Sequence, residues 1–201
     1  LSAGAPLPPE VCRQFEEKTS AIVFEAYGLT ETAPCVCANP SIKETRKIGT
    51  IGFPLPGTQV KIVDVDTGTT VLPPGEEGEL AVCGPQVMKG YWKRPQADAE
   101  AFRILEGKKF FLTGDIAGID EEGYLSIIDR KKDMILVSGF NVYPREVEDI
   151  LYTHPAVALV AVVGIPDDTR GETVKAFIKL KPDHPLTEKE IIAFCRKNMT
   201  G

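Results

Sequence analysis

The sequence has little of what several functional classes require. Its 201 residues include only two histidines, so the Cys35-Val36-Cys37 segment has no neighbouring histidine and we do not expect a metal site there. No apolar run approaches the ~18 to 20 residues that cross a bilayer, and no basic-then-apolar leader opens the chain. The cysteines are odd in number and scattered, which favours a reducing compartment over a disulfide scaffold: Cys12, Cys35, Cys37, Cys83 and Cys195. The sequence therefore predicts a soluble protein without a targeting segment.

An excess of positive charge is also missing. The chain has 23 Lys and Arg against 29 Asp and Glu, a net charge of -6, and a pI of about 5.1. Nucleic acids and anionic membranes both require concentrated basic charge, so the charge balance argues against a nucleic-acid partner and against an anionic-membrane footprint. What is present, 43% hydrophobic and 26% charged residues, is typical of a globular protein that buries a core.

The first sixty residues give few periodic signals. Pro8-Pro9-Glu10, followed by Val11 and Phe15 at helical spacing, predicts a short helix. Residues 21–24 (Ala-Ile-Val-Phe) predict a buried strand, and the non-periodic residues 25–32 predict a loop at its carboxyl end.

Short strands broken by turn residues dominate the sequence from about residue 60 to residue 129. Strand patterns at 60–63, 79–82, 110–112 and 124–128 alternate with turn segments at 66–68, 73–75 and 121–123. One helix is predicted after Pro95. We expect a β-rich, barrel-like subdomain here.

The charged run 129–133 separates this part from a segment with a different pattern. Strands are predicted at 134–137, 157–163 and 174–180, and helices from Pro144 to about Tyr152 and after Thr187, whose capping box is completed by Glu190. We therefore expect two domains, 1–129 and 130–201, the second a small α+β unit.

Four segments carry side chains that could bind a nucleotide. Residues 27–31 (Tyr-Gly-Leu-Thr-Glu) offer an aromatic face, a hydroxyl and a carboxylate. Residues 113–115 (Thr-Gly-Asp) would place a carboxylate at the end of strand 110–112, where it could accept hydrogen bonds from ribose. Arg130 and Lys132 could meet a phosphate or a sugar, and residues 138–141 (Ser-Gly-Phe-Asn) form a close-passing turn. Taken singly, each segment is more often an ordinary turn or a solvated charge.

Together, the order and spacing of these segments resemble the adenylate-forming superfamily of acyl-CoA synthetases, adenylation domains and luciferases. Residues 2–6 (Ser-Ala-Gly-Ala-Pro) resemble its adenine-side strand and loop, and residues 27–31 its Y-G-x-T-E signature. Later family motifs are matched in order by Gly78-Glu79-Leu80, Gly90-Tyr91-Trp92, Thr113-Gly114-Asp115, residues 129–133 and residues 138–141. Residues 84–92 and 129–144 are most similar to bacterial long-chain fatty acyl-CoA synthetases.

The resemblance implies ATP-dependent activation of a fatty acid to acyl-AMP with release of pyrophosphate, followed by thioester formation with coenzyme A. ATP, Mg²⁺ and coenzyme A are the implied cofactors, and the fatty acid and coenzyme A the implied substrates. On matching positions, Tyr27 would stack on adenine beside Gly4, Ala5 and Gly28. Thr30 would bind phosphate and Glu31 would hold magnesium, both as catalytic residues.

The remaining assignments also come from the resemblance. Asp115 would bind the ribose hydroxyls with Arg130 assisting, and Lys132 would be the hinge between the adenylating and thioester-forming arrangements. Gly139 and Phe140 would line the passage for the pantetheine arm of coenzyme A. The parent enzyme would be cytoplasmic, with peripheral contact to the inner membrane left open.

The chain departs from the family in what it omits. No Ser/Thr/Gly-rich phosphate loop with its lysine is present, and the family's C-terminal catalytic lysine would fall just beyond Gly201. We therefore expect a fragment, truncated within both domains, that is not a competent catalyst alone. Two alternatives stay open: another ligase of the superfamily (a short-chain or aryl CoA ligase, or an adenylation domain that loads a carrier protein), and a non-catalytic nucleotide-binding module.

Overall fold

The computed structural model describes residues 1–5, 7–182 and 184–199. Its internal contacts divide the chain into two units, Leu1–Lys131 and a second that begins at Lys132. Residues 129–133 were expected to contain the junction, with the domains meeting between 129 and 130. That the units correspond to part of a large ATP/acyl-binding domain and to a small mobile domain stays a prediction.

The first unit holds two short helices and eight strands within its described residues. In chain order they are α1 (Pro9–Thr19), β1 (Ala26–Gly28), β2 (Cys35–Ala38), β3 (Phe53–Pro54), β4 (Gln59–Val63), β5 (Glu77–Cys83), α2 (Pro95–Ala101), β6 (Phe102–Leu105), β7 (Lys108–Ile119) and β8 (Leu125–Arg130). The predicted helices at Pro9 and after Pro95 are confirmed, and each has proline in its first turn, where the missing N–H costs nothing.

A three-stranded antiparallel sheet, β1-β2-β3, begins the unit. The buried strand predicted at 21–24 is wrong: these residues are extended without strand pairing, and Ile22 is 44% exposed. Pairing begins one residue later, where Ser2 forms a parallel bridge with Glu25. The predicted loop at 25–32 is wrong in part, because it contains β1 and a 3-10 turn at Thr30–Thr32.

A five-stranded antiparallel sheet forms the β-rich part that was expected from residue 60 onward. Its order is β4-β5-β7-β6, and β8 pairs with the second half of β7. Both faces are covered. One face contributes Ile62, Leu80 and Ala117 to a core shared with residues of β2, and the other contributes Ala81 and Phe110 to a second cluster.

The long strand β7 carries the Thr113-Gly114-Asp115 segment in its middle. Leu112 pairs with Ala81 and Ile116 with Glu79, so three residues of β7 lie opposite one residue of β5. The prediction that the segment follows the end of a strand is therefore wrong. Strand pairing continues on both sides of a bulge, and Asp115 projects from within the sheet.

The second unit is a four-stranded antiparallel sheet with two helices. Its elements are β9 (Ile135–Val137), β10 (Phe140–Val142), α3 (Pro144–Tyr152), β11 (Val157–Asp167), β12 (Gly171–Leu180) and α4 (Glu188–Asn198), in the sheet order β10-β9-β12-β11. Ile135, Leu151 and Val162 form its core, against which Ile191 and Cys195 of α4 pack. The predicted helix at Pro144 and the predicted capping box at the start of α4 are confirmed.

The mixed α/β fold, with a β-rich part followed by a smaller α+β part, is confirmed. Five short strands, β1, β2, β3, β6 and β10, were not predicted. None of the helices in the described ranges is both long enough and apolar enough to cross a membrane.

Candidate functional site

The bulge in β7 is held by side chains that replace the interrupted strand pairing. Thr113 Oγ1 donates to the Leu80 carbonyl oxygen (2.9 Å), and the Gly114 N–H donates to Glu79 Oε1 (3.0 Å). Gly114 has φ +73°, which a residue without Cβ adopts without strain. The bulge therefore has a fixed shape before any ligand binds.

Asp115 lies at the centre of a polar cluster built from three separate segments. Tyr27 of β1 donates its phenolic O–H to Asp115 Oδ2 (2.5 Å), and Arg130 of β8 places Nε 3.8 Å from Asp115 Oδ1. The structure thus brings together three residues predicted to bind nucleotide, Tyr27, Asp115 and Arg130.

The electrostatics of this cluster follow from its burial. Asp115 is only 8% exposed, and desolvation is the main cause that raises the pKa of its carboxyl, while the Tyr27 hydrogen bond and Arg130 lower it. Burial and the neighbouring Asp115 charge also raise the pKa of Tyr27, so the phenol remains a donor. A buried carboxylate with an unused lone-pair direction can accept hydrogen bonds from a diol, as in ribose recognition.

A second buried carboxylate supports the bulge from β5. Glu79 is 3% exposed, and its Oε2 accepts from Lys131 Nζ at 2.9 Å, while Lys131 Nζ also donates to the Val65 carbonyl oxygen (2.6 Å). Glu79 lies in the Gly78-Glu79-Leu80 motif, for which no role was predicted, and none was predicted for Lys131. One signal was available: Glu79 is an acid inside the strand run Glu-Leu-Ala-Val, where an unpaired charge would be costly.

The loop that follows β1 is held by close backbone contacts and hydrogen bonds within the loop itself. A Cβ on Gly28 would lie 1.7 Å from the Pro34 carbonyl oxygen, so glycine is required there by the approach of the backbone to itself. The buried Thr32 accepts from the Leu29 N–H (2.9 Å) and donates to the same Pro34 carbonyl (2.6 Å). This frame leaves Thr30 exposed at the tip of the loop.

Glu31 is the one carboxylate that the loop offers. It is half-buried, and its Oε1 accepts from the Tyr91 hydroxyl at 3.0 Å, while its Oε2 has no hydrogen bond or ion pair within the described residues. Burial and the bond to Glu31 raise the pKa of Tyr91. Tyr91 was quoted in a motif without a role, and the structure assigns it the orientation of Glu31.

The donor set around Glu31 suits magnesium only when a substrate completes it. Across residues 1–5, 7–182 and 184–199, no group of three His, Cys, Asp or Glu side chains could hold a metal ion. Magnesium in nucleotide sites is usually held by one or two carboxylates together with phosphates and water. A single carboxylate with one available oxygen fits that arrangement.

Gly4 and Ala5 lie on the exposed stretch beside β1. The parallel bridge between Ser2 and Glu25 makes this stretch run alongside β1, toward Tyr27. Gly4 has φ +85°, no described atom lies within 4 Å of where its Cβ would be, and Gly4 and Ala5 are both exposed. Pro6 of the same predicted motif lies outside the described residues.

Lys132 and the 139–140 pair belong to the second unit. Lys132 is exposed within a 3-10 turn, Lys131–Asp133. Ser138 and Gly139 both have positive φ and close a tight hairpin between β9 and β10, and the Phe140 side chain that follows is 76% exposed.

Cys37 pairs with Tyr27 across β1 and β2 and packs in the same core, but it offers no reactive group to the site. Cys37 is fully buried, and burial raises the pKa of its thiol to about 12, so it is not a reactive thiolate.

Comparison with known proteins agrees with this geometry. A sequence model of the AMP-binding enzymes matches residues 1–92, and one of the AMP-binding enzyme C-terminal domain matches residues 146–201. A long-chain-fatty-acid–CoA ligase of Escherichia coli O6:H1 is 49% identical over 203 positions, which cover 100% of this chain and 35% of that protein. A feruloyl-CoA synthase of an Amycolatopsis species is 41% identical, covering 100% of this chain and 40% of that protein.

The chain is also similar to solved structures of ATP-binding enzymes. ATP-bound MatB from Rhodopseudomonas palustris has a TM-score of 0.91 at 37% identity, covering 99% of this chain and 38% of that one. The chain thus spans 35–40% of the length of the proteins to which it is similar here.

Proposed function

Because the chain belongs to the AMP-binding enzyme family, the adenylate-forming enzymes, we propose that it is part of a long-chain fatty acyl-CoA ligase. The buried Asp115 carboxylate, held by Tyr27 with the exposed Arg130 beside it, is the observation that carries the proposal, because it is a preformed acceptor for a nucleoside diol. The name and 49% identity of the Escherichia coli relative support the choice of a long-chain fatty acid and coenzyme A as substrates.

The proposed reaction has two steps. A carboxylate oxygen of the fatty acid attacks the α-phosphorus of ATP, the bond to the bridging oxygen breaks, and pyrophosphate leaves with its electron pair. The sulfur of coenzyme A then attacks the acyl carbon, AMP leaves, and the thiol proton passes to solvent. Activation is needed because a carboxylate cannot expel oxide, whereas AMP is a good leaving group.

In the first step the described residues would bind and orient the nucleotide. The ring of Tyr27 would stack on adenine beside the turn of Gly4 and Ala5, and Asp115 would accept from the ribose hydroxyls with Arg130 adjacent. Gly28 supports this arrangement by allowing the tight fold of the loop behind Tyr27.

Thr30 and Glu31 are the residues of this chain proposed to act at the phosphates. The exposed Thr30 hydroxyl would donate to a phosphate oxygen, and Glu31, oriented by Tyr91, would hold magnesium. Magnesium would neutralise charge that develops on the phosphates. In the complete enzyme, Glu31→Ala should abolish pyrophosphate release. Normal release by that variant would remove Glu31 from the site.

For the second step we propose that Lys132 is the hinge at which the two units, predicted as domains 1–129 and 130–201, exchange arrangements. Gly139 would allow the pantetheine arm of coenzyme A to pass close to the backbone, and Phe140 would contact it. The open space around Gly139 and the exposure of Phe140 support this proposal.

The test of the whole proposal is ATP-dependent acyl-CoA formation by the complete enzyme, across acids from acetate to palmitate and one aryl acid. We expect a maximum at long chains. A maximum with the aryl acid would instead favour the chemistry in the name of the Amycolatopsis relative. Adenylate without a CoA product would indicate an enzyme that loads a carrier protein, and nucleotide binding without pyrophosphate release would indicate a non-catalytic module.

We further propose a cytoplasmic enzyme that touches an anionic membrane peripherally. All five cysteines are free, which suits a reducing compartment. Trp92 is 85% exposed, and Lys89, Lys93 and Arg94 surround it in a segment without acids from residue 84 to residue 97. Indole and basic side chains favour the interface of anionic bilayers. Trp92→Ala should reduce sedimentation with phosphatidylglycerol vesicles, whereas Ile42→Ala, an exposed apolar control, should not.

A further inference from the structure

Glu79 contacts two parts of the first unit: the bulge of β7 that carries Asp115, and Lys131 at the end of the unit. Its Oε1 accepts from the Gly114 N–H at 3.0 Å, which fixes the Thr113–Gly114 peptide, one residue before Asp115. Its Oε2 accepts from Lys131 Nζ at 2.9 Å, the last residue of that unit. One side chain thus holds both the bulge that carries the ribose acceptor and the point where the unit ends.

Stability alone is a poor reason for an acid at this position. Glu79 is 3% exposed and precedes Leu80, Ala81 and Val82, which are all fully buried. Replacing a buried ion pair with apolar side chains of similar size is often neutral or stabilising, because both charges are otherwise desolvated. The carboxylate is nevertheless placed where it satisfies a backbone N–H that the bulge has released from strand pairing.

The Asp115 backbone pairs with Arg130 of β8, and its N–H donates to Thr113 Oγ1 at 3.2 Å, so the Glu79 bond fixes the remaining free peptide of the bulge, next to these contacts. Gly114 has φ +73°, and apart from its chain neighbours no described atom lies within 4 Å of where its Cβ would be, so nothing packs against that side of the residue. The hydrogen bonds of Thr113 and Glu79 define the bulge instead. Loss of the Glu79 bond would let the peptide rotate and move Asp115 relative to Tyr27.

We propose that Glu79 is a positioning residue for nucleotide binding: it fixes the Gly114 peptide so that Asp115 meets the ribose hydroxyls. The inference rests on the proposed function, in which Asp115 accepts from the diol. It assigns no contact between Glu79 and substrate. Lys131 pairs with Oε2 of Glu79, and Oε1 faces the Gly114 N–H.

The test compares the affinity of the complete enzyme for AMP with its affinity for 2′,3′-dideoxy-AMP, measured by calorimetry. Glu79→Leu preserves apolar packing but removes the acceptor, and should weaken AMP binding about tenfold, the effect of one hydrogen bond to a charged group. Binding of the dideoxy nucleotide should stay nearly unchanged, since it has no ribose hydroxyls. Glu79→Gln keeps an oxygen for the Gly114 N–H and should recover most of the AMP affinity.

Control variants distinguish the positioning role of Glu79 from the ribose contact of Asp115 on which it rests. Glu77→Leu makes the same change at an exposed position of the same strand and should leave both affinities unchanged. Equal losses for both nucleotides, or no loss for either, would overturn the positioning role. If Glu79→Leu does not fold, Lys131→Met, at a side chain 41% exposed, tests the link with a smaller expected loss specific to AMP. If wild type and Asp115→Asn already bind both nucleotides equally, the proposed ribose contact itself is wrong.

Discussion

Replacing Tyr27 with phenylalanine removes one oxygen atom and with it the hydrogen bond to Asp115 Oδ2 at 2.5 Å. Hydrogen bonds to charged groups contribute about 1.5 to 3 kcal/mol, and burial of Asp115 keeps water from replacing the lost donor. We therefore expect the first unit to lose about 2 kcal/mol of unfolding free energy at neutral pH.

The sign of the pH dependence follows from the pKa of Asp115. Burial raises this pKa above 3.8, so the folded unit is favoured when Asp115 is protonated, and this contribution is lost as pH rises through the folded pKa. Tyr27→Phe raises the pKa further, because the charged form loses a donor. The difference between wild type and variant should be largest at neutral pH and should shrink as pH falls below the Asp115 pKa.

A urea titration with a brief deuterium pulse at fixed pH, read by mass spectrometry on peptides of β7, measures this unit even if the two units unfold separately. Tyr124→Phe is the matched control, because the Tyr124 phenol donates to the neutral Thr45 carbonyl and its loss should have no such pH dependence. A Tyr27→Phe effect that is independent of pH, or absent, would refute the assignment of Asp115 as a buried carboxylate that depends on Tyr27.

Three further predictions test the frame around the site. Arg46→Met should lower the unfolding free energy by about 2 kcal/mol, because the Arg46 side chain is 4% exposed and pairs with Glu16. Arg46 lowers the pKa of Glu16, so urea titrations should show this loss becoming smaller as the pH falls and Glu16 is protonated. Gly28→Ala should lower the melting temperature, because its Cβ would meet a backbone carbonyl, and an unchanged value would contradict that contact. Trypsin should cleave at the exposed Lys132 earlier than at Lys131, because the Lys131 ammonium group is held by two acceptors. Sequencing the first fragments identifies the site.

Periodic signals and local capping predicted much of the fold. The α4 capping box, the helix at Pro144 and the main strands of the β-rich part follow from residues close in sequence. The strand prediction at 21–24 failed because an apolar run also needs a neighbouring strand, and pairing begins only at Glu25, which bridges Ser2. Strand β7 was predicted too short because Thr113-Gly114-Asp115 has turn composition, which a bulge uses as readily as a strand end does.

The site was predicted by motif order, and its connections were not. Nothing local in the sequence indicates that Tyr27 meets Asp115, 88 positions away. Glu79 and Tyr91 lie within motifs that the sequence shows. That Glu79 orients Gly114 and Tyr91 orients Glu31 depends on strand register and loop packing. Such orienting contacts are long-range, and single-sequence reasoning has no access to them.

The bulge also explains how a binding carboxylate is inserted into a sheet buried on both faces. It adds two residues to β7 relative to β5, an even number, so side chains before and after it keep the same alternation. Leu112 and Ile116 therefore face the same side, and Ala117 still reaches the opposite core. A one-residue insertion that no bulge absorbs would invert every side chain beyond it, so the parity of this segment, more than its composition, decides which face the residues after it reach.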